Sequence, residues 1–373
     1  MRATLPGTLA AVIKPSADPT LADRFRAHAR ALVDSGRSPL YAELMAAAAN
    51  DLDQGGVVAR LFEGLPVPRG SVPQLRLMAA LHELVLARSV PELARFYPSA
   101  GGENPPQQAW PRARAALNDH FDWIRQRLPR TVQTNEVGRS TVLYAVLLWL
   151  ADRSERRLRL LEIGASAGLN LHADRYAYDV GEATLGEPSS AVRFQEPWRP
   201  GPQIDLAAAR DRLRISHRAG CDLAPLDPSL PDDRRRLQSY IWPDEPERLQ
   251  RLQAALAIAA RNRVPIARSS ASEWLAAELE RRRVGELTVV WHSVVRQYVP
   301  GEEWAAVIGC LRAATAARPD RPIVRVAMEP RRDHVVNFAV SLHAEPDGPG
   351  QILARCGDHG PPVVWQPPAA TAG

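Results

Sequence analysis

The sequence predicts an α/β protein in which a mostly parallel sheet with an antiparallel C-terminal hairpin follows an all-α domain. Residues 1–155 carry almost only helical patterns, whereas strand and helix patterns alternate from residue 156 onward. Over 158–175, an apolar run of strand length meets a loop of small residues and then a helical pattern. Strands that alternate with helices pair in parallel, because each connecting helix returns the chain to the same end of the sheet. We therefore expect two domains, 1–155 and 156–373.

The N-terminal helices are indicated by the residues that begin them. Asp18-Pro19 offers an N-cap followed by proline in the first turn, and 71–74 and 89–92 have the spacing of capping boxes. A loop rich in glycine and proline at 97–106 separates these helices from two more, over about 107–128 and about 137–151. We expect the last helix to lead directly into the first strand.

Five parallel strands and two antiparallel ones are expected in the second domain. The parallel candidates are 158–163, 213–218, 264–267, 287–291 and 323–328, and the antiparallel pair covers about 335–342 and 352–364. Helices over about 245–262 and 302–317, and one that contains Trp274, connect the later strands. The proline-rich segment 176–218 is expected to be an insertion with a hairpin.

Charge and cysteine usage argue against several classes of protein. Lys14 is the only lysine among 47 basic residues, and the arginines alternate with acids, as in 278–283. This pattern is typical of solvated helix surfaces, so we expect no nucleic-acid partner. Cys221, Cys310 and Cys356 lack metal-ligand spacing, which indicates reduced thiols in a cytoplasmic protein and no metal site. The longest apolar run, 142–150, is too short to cross a bilayer, so no membrane partner is expected; the oligomeric state stays open.

A ligand site is expected where the parallel strands end, because ligands of open α/β sheets bind beyond the carboxyl ends of the strands. In chain order the predicted strand ends carry Glu162 with the loop 164–168, then Asp222, Ser270, His292 and Glu329. Glycines in the loop let a ligand approach the main chain closely. Polar residues of these types also occur in ordinary loops, so their presence at the strand ends supports a ligand site only modestly.

The segment that precedes the 137–151 helix is expected to lie beside the glycine loop. Fourteen residues at a rise of 1.5 Å cover roughly 21 Å, about the length of a six-residue strand. A helix that packs antiparallel to the first strand therefore begins near the carboxyl end of that strand. Asn135, Glu136 and Arg139 then become candidates for substrate binding, with an N-cap and surface charges as the alternative.

The glycine loop with the acid before it resembles motif I of the class I S-adenosylmethionine-dependent methyltransferases. The resemblance implies a Rossmann-like methyltransferase-type sheet with S-adenosylmethionine as the cofactor, whose methionyl and ribose parts the loop holds. The loop residues that it assigns to cofactor binding are Glu162, Gly164, Ala165, Ser166 and Gly168.

Two further positions match the methyltransferase pattern less closely. Asp222 resembles the acid of the second motif, which accepts hydrogen bonds from both ribose hydroxyls, but it follows Gly168 by 54 residues, whereas the usual spacing is about twenty. The insertion must loop out for this assignment, and Asp179 is the alternative acid. Ser270 stands where many methyltransferases have an acid that contacts the adenine amine.

The segment 289–300 occupies the place of the fourth motif, which lines the methyl-acceptor side in that superfamily. His292 is the candidate general base, because an imidazole titrates near neutral pH; a packed histidine is the alternative. Gln297 and Tyr298 are candidates for substrate binding. The sequence lacks the Asn/Asp-Pro-Pro-Tyr pattern, which argues against methylation of nucleic-acid bases.

Several phrases together resemble an uncharacterised bacterial family, domain-of-unknown-function family 2332, over nearly the whole chain. They are Thr-Asn-Glu-Val-Gly-Arg-Ser at 134–140, Leu-Glu-Ile-Gly-Ala-Ser-Ala-Gly-Leu-Asn-Leu at 161–171, Gly-Cys-Asp-Leu-Ala-Pro-Leu-Asp-Pro at 220–228, Tyr-Ile-Trp-Pro-Asp at 240–244 and Val-Val-Trp-His-Ser-Val-Val-Arg-Gln-Tyr at 289–298. The resemblance brings no established activity. It implies a methyltransferase-like fold with a helical N-terminal extension.

The expected function is therefore S-adenosylmethionine-dependent methyl transfer to a small molecule, with the helical domain as a lid or acceptor pocket. Two alternatives stay open. Residues 164–168 also match G-x-S-x-G, which would make Ser166 the nucleophile of a serine hydrolase. A non-catalytic protein that keeps the fold for ligand binding is the other.

Overall fold

The chain forms two compact units in the computed structural model, which describes residues 19–68, 71–331, 334–346 and 348–366. The first unit ends at Arg130 and regains the short segment Trp242–Asp244, and the second comprises Thr131–Ile241 and the chain from Glu245 onward. The helix Ser140–Arg153, expected in the N-terminal domain, belongs to the second unit, because nearly all of its side chains are buried in the core of that unit.

The first unit is helical. Its helices are α1 (Leu21–Asp34), α2 (Pro39–Asp53), α3 (Val57–Phe62), α4 (Pro73–Leu86), α5 (Pro91–Ala94), α6 (Trp110–Asp119) and α7 (Phe121–Arg125). Phe25, Leu44 and Leu77 contribute to one apolar core beneath them. The helix expected over 107–128 is divided, since α6 ends at Asp119 and α7 begins two residues later.

The helix starts differ from those expected. Helix α1 has a capping box between Thr20 and Asp23, whereas the predicted cap Asp18 lies outside the described residues. Helices α4 and α5 begin with proline directly after Val72 and Val90, and neither valine offers a capping side chain. The expected capping boxes do not form because proline takes the first helical position, which leaves each serine one residue too early.

The second unit contains the sheet. Its strands are β1 (Arg157–Ile163), β2 (Ala177–Val180), β3 (Ala183–Gly186), β4 (Arg193–Gln195), β5 (Ile215–Asp222), β6 (Ile266–Arg268), β7 (Glu286–Ser293), β8 (Ile323–Arg331), β9 (His334–His343), β10 (Gln351–Gly357) and β11 (Gly360–Trp365). Its helices are α8 (Ser140–Arg153), α9 (Leu206–Arg212), α10 (Pro231–Ser239), α11 (Pro246–Arg261), α12 (Ala271–Glu280) and α13 (Gly301–Ala317). None of the helices in the described ranges is long and apolar enough to cross a membrane.

Eight strands form the main sheet in the order β11-β10-β9-β8-β7-β1-β5-β6. Pairing is parallel from β6 to β8 and antiparallel from β8 to β11. The predicted α/β class, with a mostly parallel sheet, antiparallel C-terminal strands and N-terminal helices, is confirmed. The chain first extends the sheet from β1 through β5 to β6 and then continues with β7 on the other side of β1. The order therefore reverses between β1 and β7, which is where ligands of open α/β sheets bind.

Alternation along β1 and β7 divides the central side chains between the two faces of the sheet. Leu160 of β1 and Trp291 of β7 contribute to the core that contains α8, whereas Ile163 contributes to the core formed with α12 and α13. Glu162 is paired in register with Trp291, and Ile163 with His292. Glu162 and Trp291 thus share one face, and His292 lies on the other.

Two regions differ from the expected topology. The last expected strand is divided into β10 and β11, because the chain reverses at Asp358-His359 and Gly360 has a φ of +95° that favours glycine. The insertion after the glycine loop forms a three-stranded sheet of its own, in the order β3-β2-β4, followed by α9. These elements account for the long spacing between the loop and Asp222.

Candidate functional site

The glycine loop uses all of its backbone N–H groups within the chain. Gly164 and Ala165 both donate to the Cys221 carbonyl at 2.9 Å, and Gly168 donates to the Ala165 carbonyl at 2.7 Å. The three remaining N–H groups, of Ser166, Ala167 and Leu169, donate to side chains at 3.0–3.2 Å. A loop that binds phosphate needs free N–H groups. The loop in this conformation therefore offers no phosphate-binding nest.

Asp222, Gln133 and Ser166 form a closed ring of hydrogen bonds at the loop. The Asp222 carboxylate accepts from Ser166 N–H at 3.0 Å and, through its other oxygen, from Gln133 Nε2 at 3.1 Å and Ala224 N–H at 2.8 Å. The Ser166 hydroxyl donates to Gln133 Oε1 at 3.0 Å. The structure thus brings the predicted acid to the loop despite the long insertion. Three of its acceptor positions are already filled.

Asn135 lies where the packing of α8 on β1 predicts. Its side-chain oxygen accepts hydrogen bonds from Ala167 N–H at 3.2 Å and Leu169 N–H at 3.0 Å. Glu136 is also buried, but it binds Arg248 at 3.1 Å and Gly138 N–H at 2.9 Å. Burial opposes its ionisation, but Arg248 and His359 outweigh that effect and lower the pKa of Glu136 to about 2. Asn135 therefore supports the loop and Glu136 forms an ion pair with Arg248, and the role of both as substrate ligands stays a prediction.

Side chains already fill the space beside both loop glycines. A Cβ atom on Gly164 would lie 2.5 Å from Val295 Cγ2, and one on Gly168 would lie 2.8 Å from Ile266 Cδ1. Both glycines also have a positive φ, of +73° and +72°. Close packing of neighbouring elements and the backbone turn therefore account for these glycines without a ligand.

Three buried polar side chains next to the loop have atoms without a hydrogen-bond partner in the described part of the chain. They are Glu162 Oε2, Asn170 Oδ1 and Trp291 Nε1, on residues that are at most 2% exposed. Burial raises the pKa of Glu162 to about 8, although the nearby Asn170 and Trp291 side chains and Arg139 favour its ionised form. Asn170 and Trp291 are close enough to Glu162 to favour its ionised form by hydrogen bonding, so the cluster is satisfied in part from within. A further donor, from water or a ligand, would complete it.

His292 has both of its ring nitrogens in contact with charged neighbours. Nδ1 lies 2.7 Å from Glu329 Oε1, and Nε2 lies 3.4 Å from Arg325 Nη1. Because a guanidinium only donates, these partners assign the proton to Nδ1. Trp304 packs edge-on against the ring at 4.9 Å, and burial lowers the pKa of His292 although Glu329 opposes it. The ring thus holds the Glu329 carboxylate, and its predicted role as general base stays a prediction.

Arg139 is a buried cation beside the end of β7. Its Nε donates to the Asp358 carbonyl at 3.1 Å and Nη1 to the Ser293 carbonyl at 3.4 Å. Tyr298 is near enough for Arg139 to favour ionisation of its phenol, although burial raises the pKa of Tyr298. Gln297 and Tyr298 belong to the 3₁₀ turn Arg296–Tyr298 after β7 and are largely exposed. Arg139 and Tyr298 are therefore neighbours, and the role of Arg139, Gln297 and Tyr298 in substrate binding stays a prediction.

Asp179 does not join this group. It lies on β2 of the small sheet, where it accepts hydrogen bonds from Thr184, Arg193 and Gln195, each at 2.6 Å. Ser270 precedes α12 as its N-cap residue without a side-chain capping bond. It follows Ser269, whose N–H donates to the Asp222 carbonyl at 3.3 Å, so Ser270 lies on the same edge of the sheet as Asp222.

Gln133, Asn170 and Trp291 were not predicted from the sequence as site residues. Trp291 had a usable signal, because it ends the predicted strand 287–291 directly before His292. Gln133 had none, since its contacts with Ser166 and Asp222 join positions far apart in the chain. No group of three His, Cys, Asp or Glu residues suited to a metal ion occurs among the described residues.

The chain belongs to the family described as "uncharacterized protein conserved in bacteria (DUF2332)", whose model matches residues 22–365. No curated protein matches the chain. No solved structure matches it either.

Proposed function

We propose that this member of the family transfers the methyl group of S-adenosylmethionine to a small-molecule acceptor at the carboxyl edge of the sheet. One observation carries the proposal: the strand order β6-β5-β1-β7-β8 reverses between β1 and β7, and Asp222 at the end of β5 is hydrogen-bonded to the loop that follows β1. Ligands of open α/β sheets bind at such a reversal. The methyltransferase-like phrases in the sequence fall on these same elements.

The residues present fit this cofactor in part. Glu162, Asn170 and Trp291 offer buried polar atoms that are incompletely hydrogen-bonded within the described ranges, and Leu223, next to Asp222, is 75% exposed and offers an apolar surface. The engaged N–H groups of the loop and the packing of Val295 against Gly164 do not fit a cofactor that lies directly on the loop backbone. We therefore assign the binding contacts to side chains at the edge of the loop.

The cofactor, when bound, supplies an electrophilic methyl group on a sulfonium. Asp222 is assigned to the ribose hydroxyls, which would replace the Gln133 amide on its carboxylate. Ser270 is assigned to the adenine amine, and Glu162 to the part of the cofactor nearest β1. In this proposal the Ser166 hydroxyl makes no contact that the ligand depends on.

The serine hydrolase alternative has one observation in its favour. Ser166 has a φ of +53°, and a strained turn of this kind exposes the nucleophile in an elbow. Its hydroxyl, however, donates to the Gln133 amide oxygen, which is far less basic than an imidazole. Labelling with a fluorophosphonate that disappears in Ser166→Ala would favour the hydrolase.

The test of the proposal is isothermal titration with S-adenosylmethionine and S-adenosylhomocysteine up to millimolar concentration. Asp222→Ala should weaken binding about tenfold to a thousandfold, because charge-assisted hydrogen bonds contribute roughly 1.5–3 kcal/mol each and are not additive. Asp232→Asn, whose side chain is 89% exposed, is the matched control. Asp179→Asn separates the two candidate ribose acids.

Absence of binding by the wild-type protein would refute the proposal. Binding without turnover on a broad acceptor panel would favour the non-catalytic alternative. Loss of binding in Asp179→Asn but not in Asp222→Ala would move the ribose contact to the small sheet.

A further inference from the structure

The turn Ser293–Arg296 after β7 fixes one carboxylate in place. Glu329 Oε1 accepts hydrogen bonds from His292 Nδ1 at 2.7 Å and from the N–H groups of Val295 and Arg296, both at 3.2 Å. Its second oxygen, Oε2, is buried and has no hydrogen-bond partner among the described residues. One oxygen is thus held by three donors while the other is left to accept from something else.

The backbone of this turn is strained. Val294 has a φ of +54°, which is rare for a β-branched residue. Its N–H donates to the Met328 carbonyl at 2.9 Å, and the next two N–H groups point to Glu329. Strain of this kind persists where the surrounding contacts enforce it, often around a ligand.

Arg139 contacts the other end of the same turn. Its Nη1 donates to the Ser293 carbonyl, and its only other hydrogen bond in the described ranges is to the Asp358 carbonyl. The side chain is 8% exposed, and within the described part of the chain no carboxylate lies at ion-pair distance from it. A buried guanidinium normally pairs with an anion, so its charge is left for a ligand to match.

We propose that Arg139 and Glu329 bind the two ends of an α-amino-acid group on the methyl acceptor, with its carboxylate on Arg139 and its ammonium on Glu329. A group that matches both must carry opposite charges a few bonds apart, as an α-amino acid does. Tyr298 interacts electrostatically with both and is 60% exposed. The inference rests on the proposed function for the role of this ligand as acceptor.

The charges around Arg139 disfavour a simple anion such as phosphate. Glu136, Asp358 and Glu329 all favour the charged form of Arg139, although burial still lowers its pKa overall. Glu136 is paired with Arg248. Glu329 is a neighbouring acid whose Oε2 accepts no hydrogen bond from the described residues. An added anion alone would be repelled by these acids, whereas a zwitterion compensates both signs.

The assignment to the acceptor follows from position. Arg139 contacts the last residue of β7 and Glu329 contacts the turn after it. Asp222 ends β5, and Gln133 joins it to Ser166 in the loop. Because β1 separates β5 from β7 in the sheet, the nucleoside contacts and the amino-acid contacts fall on opposite sides of the loop.

The test uses the full chain and the standard free L-amino acids, screened by thermal shift and then titrated with S-adenosylhomocysteine present. We expect at least one amino acid to bind. The amine that lacks its carboxylate and the acid that lacks its amino group should each bind about tenfold to a hundredfold more weakly. Arg139→Met should weaken binding of the amino acid by a similar factor and leave the affinity for its amine analogue unchanged. Arg283→Met, at an exposed arginine, is the control.

Several results would overturn the inference. They are binding of S-adenosylhomocysteine without binding of any amino acid, equal binding of the amino acid and both analogues, and an Arg139→Met effect confined to S-adenosylhomocysteine. The analogue comparison needs only the wild-type protein, so it decides even if the variant fails to fold. Amino-acid binding with the expected analogue pattern but no cofactor binding would support this site and refute the proposed function.

Discussion

Replacement of Glu162 by glutamine should remove a specific pH dependence from the stability of the second unit. The carboxyl is 1% exposed, and burial raises its pKa from the ordinary 4.5 to about 8. Between these two values the folded state keeps a proton that the unfolded state has lost. Stability therefore falls as the pH rises through this window, by about 1.4 kcal/mol per pH unit where the difference is one full proton.

The expected magnitude is about 2.5 kcal/mol between pH 5.5 and 7.5, which both lie between the two pKa values. Glutamine is close in size and stays neutral, so Glu162→Gln removes the titration without opening a cavity. Other groups contribute to the wild-type slope: burial lowers the pKa of His172 to about 4, which makes stability rise with pH up to the ordinary value of 6.5. The difference between variant and wild type cancels these contributions.

The assay is urea unfolding, followed by tryptophan fluorescence, at several values of pH for both proteins. The stability gained by Glu162→Gln should grow with pH, and Glu280→Gln, an exposed glutamate, should show no such growth. Parallel stability curves for the wild type and Glu162→Gln would show that the buried carboxyl is already satisfied, by water or otherwise, and would remove the argument for an incomplete polar cluster.

Three further changes test the loop and its supports. Gln133→Ala frees the Asp222 carboxylate and should raise affinity for S-adenosylhomocysteine up to about tenfold in calorimetry; a loss of affinity would instead make Gln133 a positioning residue. Gly164→Ala should destabilise the protein by about 2–4 kcal/mol in urea unfolding, from the contact with Val295 and the positive φ, and Val295→Ala should restore part of it. Arg248→Met leaves the buried Glu136 carboxylate without its ion-pair partner and should lower the free energy of unfolding by about 3–5 kcal/mol in the same assay. The double variant with Glu136→Gln should recover much of that stability.

The first strand, the loop and the helix before them were predictable from the sequence because they rest on local patterns. The helical pattern after the loop, by contrast, forms only the 3₁₀ segment Leu169–Arg175, which is interrupted at His172. The apolar run to Ile163 and the glycines that follow it set the end of β1, and the length of the helix before it placed Asn135 beside the loop. The carboxyl ends of parallel strands meet at one edge whatever lies between them. A position of Asp222 beside the loop is therefore predictable without knowledge of how the insertion folds.

The small sheet was harder to predict because its strands are only three or four residues long. Strands this short carry too little alternation to be distinguished from irregular chain. The division of β10 from β11 was missed although Gly357, Gly360 and Pro361 around Asp358-His359 are turn signals.

The contacts that decide the chemistry of the site are long-range and could not be predicted from local sequence. Small residues at 164–168 suggested a backbone open to a ligand, yet Asp222 and Asn135 accept the N–H groups that such a loop would offer. His292 suggested a general base, yet both of its ring nitrogens are in contact with other side chains, Nδ1 with Glu329 and Nε2 with Arg325. In both cases, groups that were predicted to contact a ligand instead contact another part of the protein: the loop N–H groups bind Asp222 and Asn135, and His292 binds Glu329. The capacity for ligand binding that remains lies in atoms of Glu162, Trp291 and Glu329 that have no hydrogen-bond partner among the described residues, and in the charge of Arg139, which has no ion-pair partner among them. A ligand that completes these atoms would bind through side chains at the reversal of strand order. The variants that test ligand binding therefore alter side chains, whereas Gly164→Ala tests only the packing and backbone conformation of the loop.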